Sequence, residues 1–286
     1  MKRLDGVEIG ALIILMAGIV LALLHWESVQ RMIGYVLHEP APASAPAPAT
    51  PATPTVSASI APAPASQPAS QVLQLPAASE PLPSLHASDQ AFGHAVDSLV
   101  GRKAFAQWWV PDHLILHIVS TIDNLGRAQA PVRAWPVRPT PGQLLVRKQG
   151  SGLALDPANA GRYGPYMAMV RAVDPSRLVA VYVRFYPLFQ DAWRELGYPK
   201  GQFNDRLLQV IDNLLAAPEP SGDIQLVQPH VLYQYADPAL ESATAGQKIL
   251  MRIGPANERE VKTRLRELRA QLLLRMRPAS GASQAH

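Results

Sequence analysis

The sequence predicts a mainly α-helical domain, of about six to eight helices with a small β-hairpin or sheet element, preceded by one transmembrane helix and a disordered linker. Three observations carry that prediction. An unbroken apolar run lies near the N-terminus, a long Pro/Ala-rich stretch follows it, and in the remainder apolar residues recur at helical spacing. The chain has 286 residues, 28 of them proline and 0 cysteine. Absence of cysteine excludes disulfides, thiolate metal sites and a cysteine nucleophile. A net charge of +4 is too mild to argue for nucleic acid without a clustered patch, and no nucleic-acid partner is expected.

Residues 1–8 read as a cytoplasmic N-terminus and 9–26 as a membrane anchor. Ile9 to Leu24 is continuously apolar. As a helix it covers roughly 24 Å, somewhat short of the ~30 Å hydrocarbon core. Trp26 extends the span as an interfacial aromatic. Lys2 and Arg3 precede the run, and no Lys or Arg occurs from Met32 through Gly101. The positive-inside rule then keeps the N-terminus in the cytoplasm and exports everything else. A cleavable signal peptide is the competing reading, but His25-Trp26-Glu27-Ser28 offers no small-x-small cleavage site. The expected location is the bacterial inner membrane, single-pass, with the C-terminal domain periplasmic.

In 27–38, Val29, Met32, Ile33, Val36 and Leu37 recur at helical spacing, as in an amphipathic juxtamembrane segment. Residues 39–80 are dominated by Pro, Ala, Ser and Thr and have nothing to bury. They read as a disordered, polyproline-biased tether reaching up to roughly 130 Å. The globular domain is placed at 81–277 and a disordered tail at 278–286.

Within the domain, Ser88 and Asp89 open an amphipathic helix through Val100, extended by Phe105, Trp108 and Trp109. Asp112 to Leu125 follows Pro111 as a second helix, apolar nearly all round and therefore buried. Gly126 to Gly142 reads as irregular, and Leu144 to Leu155 as a hairpin around Gly150-Ser151-Gly152. Asp156-Pro157 opens a helical stretch through Val170. Asp174-Pro175 caps a helix to Leu196 that Pro187 should kink. Asn204 to Ala217 is a clean amphipathic helix, and Ile224 to Tyr235 carries two β-leaning runs joined at Pro229. Asp237-Pro238 starts a helix to about Ile253, and Gly254-Pro255 the last one, to about Arg277.

The segment VLYQYADPALESATAGQKILMRIGPAN (Val231 to Asn257) resembles the signature of a proteobacterial domain-of-unknown-function family, number 3014 in that series. RFYPLFQDAWRELGYP (Arg184 to Pro199), DRLLQVIDNLLAAPEP (Asp205 to Pro220) and VPDHLILHIVSTIDNL (Val110 to Leu125) resemble it too. The resemblance implies one anchor, one tether and one envelope domain, with no assigned activity and no cofactor.

His113 and His117 stand four residues apart, a spacing compatible with zinc, but no Glu completes HExxH and no third ligand is near in sequence. No metal and no catalytic set is expected. The cluster that suggests binding is aromatic and cationic: Arg162, Tyr163, Arg184, Tyr186, Tyr198, Gln228, Tyr233, Tyr235, Gln247 and Lys248. Glu195, Asp205 and Asp212 are the candidate acid/base carboxylates of an alternative, a glycan- or peptide-directed hydrolase. On the last helix Val261, Leu265, Leu268 and Leu272 form an apolar seam, beside a basic stripe of Arg259, Lys262, Arg266, Arg269 and Arg277. The expected role is binding or scaffolding in the envelope, with the inner membrane held through 9–26 and an envelope protein or glycan as partner.

Overall fold

The structure, a computed structural model, describes residues 71–73, 81–230 and 232–278. The expected anchor at 9–26, the segment 27–38, most of the tether and the tail from 279 lie outside the described residues. Among the described residues no helix is long and apolar enough to cross a membrane.

Ten α-helices are described: α1 Asp89–Val100, α2 Arg102–Trp108, α3 Leu114–Leu125, α4 Asn159–Arg162, α5 Gly164–Ala172, α6 Pro175–Glu195, α7 Phe203–Leu215, α8 Pro238–Glu241, α9 Ala245–Arg252 and α10 Pro255–Leu274. The strands are β1 Gln71–Leu73, β2 Val146–Gln149, β3 Gly152–Leu155, β4 Gln225–Val227, β5 Gln234–Tyr235 and β6 Met276–Pro278. The architecture is mainly α, as the spacing of apolar residues predicts. Helices outnumber the expectation because stretches read as continuous break, the first at Gly101 (φ 84) between α1 and α2 and two more further along the chain. One breaks at Tyr163-Gly164-Pro165, where a proline in the first turn starts α5. The other breaks at Ser242-Ala243-Thr244, where Thr244 and Gln247 form a reciprocal capping box for α9.

Helix α3 is the central element. Its residues Leu114, Ile115, Ile118, Val119, Ile122 and Leu125 are all buried, and it packs on α6, α7, α1 and α9. It begins at Leu114 rather than Asp112. His113 is left-handed (φ 52) and Asp89 supplies the missing cap, its carboxylate accepting from the amides of His113 at 2.7 Å and Leu114 at 2.9 Å. Upstream, Pro111 sits in an extended connector, with Trp109 bridged to Val137. Helix α6 runs unbroken through Pro187, which lies on its exposed side. Asp174 caps it by accepting from the Ser176 amide at 2.6 Å.

Helix α10 buries Val261, Leu265, Leu268 and Leu272, the expected seam, against α6 and α7. It ends at Leu274 rather than near Arg277. Met276–Pro278 instead pairs antiparallel with Gln71–Leu73, in the register Gln71↔Pro278, Val72↔Arg277, Leu73↔Met276. Three residues inside the expected tether therefore form a strand, and Leu73 and Met276 are buried in the main core. The physical reason is local: Gln71-Val72-Leu73 interrupts the Pro/Ala run with proline-free, aliphatic sequence.

The four-stranded antiparallel sheet has the order β2-β3-β4-β5. Its hairpin turns at Gly150-Ser151, with Gly150 at φ 59, a conformation that favours glycine. One side of the sheet holds a small separate core of Leu155, Leu226, Tyr235 and Met251. Met251 comes from α9, whose Ile249 and Leu250 face the main core. Helix α9 thus joins the two cores.

Candidate functional site

The join leaves a cleft. Helix α3 ends at Leu125, and the chain turns through Arg127 to Ala134, where the Arg127 carbonyl accepts from the Ala245 amide at 2.7 Å and fixes this loop to the start of α9. Across the gap stands the short edge strand β5. Between them lies a cleft of about 680 Å³, with Gln129 and Arg133 on the loop wall, Tyr233 and Gln234 on the strand wall, and Lys248 and Arg252 along α9.

Lys248 and Arg252 are four residues apart, so one helical face presents both. Lys248 Nζ lies 2.6 Å from Glu241 Oε1. The other oxygen of the same carboxylate accepts from the Tyr235 amide at 2.9 Å. Glu241 thereby occupies the outward-facing N–H of the edge strand, a position open to strand addition in an uncovered edge. The Tyr235 hydroxyl donates to the Lys248 carbonyl at 2.9 Å, and the Arg252 guanidinium carbon lies 5.7 Å from the Tyr235 ring centre. Burial pushes the Tyr235 and Tyr163 hydroxyls up, with Arg252 opposing the rise in both cases. Both phenols stay protonated near neutral pH. The cleft is a cationic, aromatic-lined recess, suited to holding a polar ligand and carrying no nucleophile–base pair.

Of the residues singled out in the sequence, Tyr233 and Lys248 line this cleft, Tyr235 lies beneath it, and Gln247 sits one position from Lys248 on α9. Gln247 completes the capping box and donates to the Asn213 carbonyl at 2.9 Å. The others are elsewhere. Arg162 binds the carbonyls of Pro141 and Gly142 at 3.1 and 2.9 Å and the Asn159 side chain at 3.0 Å, tying the 139–145 loop to α4. Tyr163, beside it, is buried. Arg184 is exposed, its guanidinium 5.6 Å from the Phe185 ring centre. Gln228 is exposed on the loop after β4.

Tyr186 is a core residue. Its hydroxyl is 3.1 Å from Gln190 Oε1 and 2.9 Å from Gln202 Oε1, and burial pushes it up to about 12. Tyr198 stacks on Trp193 at 3.8 Å between ring centres, and its hydroxyl donates to Asp123 at 3.0 Å. These tyrosines and Arg162 hold the fold rather than line the cleft.

The three candidate carboxylates lie outside the cleft. Glu195 lies 3.4 Å from His86 Nε2, and Asp212 lies 2.6 Å from Arg269. Asp205 stands seven residues before Asp212 on α7, roughly 10 Å along the axis, where its charge helps raise the Tyr182 and Tyr186 phenols. Arg206, beside Asp205, pairs with Asp123 instead. None of the three lines the cleft.

The basic stripe on α10 is partly dismantled too. Lys262 is buried and bound by Glu258 and Glu219, and Arg269 is held by Asp212, while Arg259 and Arg266 are exposed. His113 precedes α3, so the two histidines do not share a helical face; their ring centres are 6.3 Å apart. Burial lowers the His117 imidazole, with His113 adding to the shift. Among the described residues no three His, Cys, Asp or Glu side chains are placed to hold a metal ion.

The profile of the DUF3014 family, described as a protein of unknown function, matches residues 114–269. That span runs from α3 into α10 and contains every residue of the cleft. The chain belongs to the DUF3014 family. No curated protein and no solved structure matches it. Within the DUF3014 span, Arg133, Glu241 and Arg252 join the cleft although the sequence reading did not single them out. The four-residue spacing of Lys248 and Arg252 is the signal that marks α9 as a cationic face; nothing local marks Arg133.

Proposed function

We propose that this DUF3014 protein is a single-pass inner-membrane protein that presents its α-rich domain to the periplasm and binds an envelope partner, protein or glycan, in the cleft between the 127–134 loop, β5 and α9. The single observation that carries the binding role is the convergence of Tyr233, Lys248 and Arg252 with Arg133 around one recess of about 680 Å³. The compartment rests on the apolar run Ile9 to Leu24, with Lys2 and Arg3 before it and no Lys or Arg between Met32 and Gly101. The hydrolase alternative draws no support from the cleft, which Glu195, Asp205 and Asp212 do not line.

The natural absence of cysteine makes the compartment directly testable. In a chain carrying Ser98→Cys, an exposed position on α1, a membrane-impermeant maleimide should label cells whose outer membrane alone is permeabilised. Labelling only after inner-membrane lysis would remove the periplasmic reading. For binding, a photo-crosslinking residue at exposed Gln129 in the full chain should trap an adduct in intact cells that the same residue at Arg102, on α2, does not give. Identical blanks at both positions would sink the cleft.

A further inference from the structure

We infer that the cleft recognises an anionic group, a carboxylate or a phosphate, through Arg133 on one wall and Lys248 on the other, and that Glu241 is a built-in competitor for it. The inference rests on reading the cleft as a ligand site and goes on to name the chemistry that fills it.

The first support is the balance of charge. Arg133, Lys248 and Arg252 line the recess, and among the described residues Glu241 is the only acid that does. Glu241 answers Lys248, which leaves the Arg133 charge facing the cavity, and a walled recess strengthens its attraction for an anion relative to open water. The cations also come from separate places. Arg133 belongs to the short 3-10 turn Val132–Ala134, and Lys248 and Arg252 to α9. Arg133 makes no hydrogen bond or ion pair with the described residues. It is exposed and directed by a turn whose backbone is closed by the bonds Ala134 N to Pro131 O (3.1 Å) and Trp135 N to Val132 O (3.1 Å). Its planar fork is suited to either oxyanion.

The second support is Glu241 itself. Its carboxylate is gripped by Lys248 Nζ at 2.6 Å and by the Tyr235 amide at 2.9 Å. The cleft wall therefore already holds one carboxylate, with a cationic and a backbone donor in the arrangement that oxyanions select. An incoming anion competes with Glu241 for Lys248 while gaining Arg133. This arrangement also decides against an extended peptide adding to β5, because Glu241 closes the Tyr235 amide. The ligand is read by side chains, with Gln129, Gln234 and the Tyr233 ring left to contact its uncharged part.

The test is calorimetric titration of the full-length chain, purified in detergent, with citrate, inorganic phosphate and the uncharged disaccharide of N-acetylglucosamine. Citrate or phosphate should bind. Affinity should fall about tenfold in Arg133→Ala, the scale of one lost charge-assisted contact, and should fall as salt is added. Glu241→Gln should raise it severalfold. Arg102→Ala, a surface arginine on α2 outside the cleft, should leave it unchanged. Arg133 is exposed, so its loss leaves the fold intact and keeps the result interpretable. Which anion binds assigns the source, citrate marking a carboxylate ligand and phosphate a phosphoryl one.

Absence of binding by either anion overturns the inference, whatever the crosslinker at Gln129 reports about the cleft. So does anion binding that Arg133→Ala leaves untouched. A disaccharide that binds at least as tightly as the anions, with no response to Arg133→Ala, also overturns it, and in that case the cleft survives as a neutral-ligand site.

Discussion

Asp89 and Leu114 are joined across 25 residues by a 2.9 Å hydrogen bond from the Leu114 amide to the Asp89 carboxylate. The second carboxylate oxygen takes the His113 amide, so a residue in the first turn of α1 caps the central helix of the domain. Replacing Asp89 with alanine strips two donors of their acceptor at a helix start, and the expected cost is about 1–2 kcal/mol. Asparagine should recover part of it, since one amide oxygen can still accept. Chemical denaturation checks this, and a wild-type midpoint in Asp89→Ala would show that water caps α3 equally well.

Asp123 has a comparable hub role. It accepts from Arg206 Nε at 2.8 Å, Arg127 Nη2 at 2.7 Å and the Tyr198 hydroxyl at 3.0 Å, and its side chain is 10% exposed. Arg206 is the less exposed of the two arginines, at 22% against 49% for Arg127. Asp123→Ala should therefore cost about 3 kcal/mol, by leaving Arg206 desolvated without its anion. Arg127→Ala removes a half-exposed partner, and its loss should stay within about 1 kcal/mol. Equal effects of the two substitutions in urea melts would contradict this partition.

These two contacts also mark how far the sequence can be read. The periodicity of α7 and α10 exposes their buried faces directly, the nearly all-round apolar character of α3 marks it as buried, and the Gly150-Ser151 turn announces its hairpin. Asp89 looks like an ordinary first-turn acid, because no local pattern encodes a cap delivered from another helix. The same holds for the cleft. Tyr233 and Lys248 stand out as an aromatic and a cation within one matched segment, yet Arg133 lies in a stretch with no periodicity at all. Only the packing of α9 against both cores brings that stretch opposite β5. Tyr186, Tyr198 and Arg162 have the composition of a binding surface but spend their polar groups on hydrogen bonds within the domain, which residue type alone does not reveal.

The strand pair at the chain ends is testable by a single substitution. Leu73 is 5% exposed and Met276 8%, and both sit in the main core, with β1 also packed on α7. If residues 71–73 belong to the fold, Leu73→Ala should lower stability by about 2–3 kcal/mol, toward the small end for a buried leucine because the pair lies at the domain margin. A free tether would show no change in the urea midpoint.

Lys262 is the buried charge whose removal should be most damaging. It is 3% exposed and donates to the Ala217 carbonyl at 2.7 Å and Glu219 at 2.7 Å, with Glu258 Oε1 3.0 Å away. Lys262→Met leaves Glu258, only 2% exposed, without a cation, and the expected cost is about 3–5 kcal/mol near neutral pH. Burial raises the Glu258 carboxyl above its ordinary 4.5, with Lys262 opposing the rise. The folded protein therefore holds that proton more tightly than the unfolded chain does. Its contribution to stability is full below pH 4.5 and is lost as pH rises through the raised folded value. Glu219 runs the other way. Lys262 lowers it, so its contribution is present above 4.5 and lost as pH falls through the folded value. In Glu258→Gln the first trend disappears and the second remains. The stability of this variant relative to wild type should then climb with pH from 4.5 upward, and the Lys262→Met penalty should shrink toward pH 4.5, where Glu258 takes up its proton. Urea midpoints collected from about pH 3.5 to about pH 7.5 would read both slopes, the Glu219 loss on the acid side of 4.5 and the Glu258 loss above it. A flat difference between Glu258→Gln and wild type would mean that Glu258 titrates alike in the folded and unfolded chains.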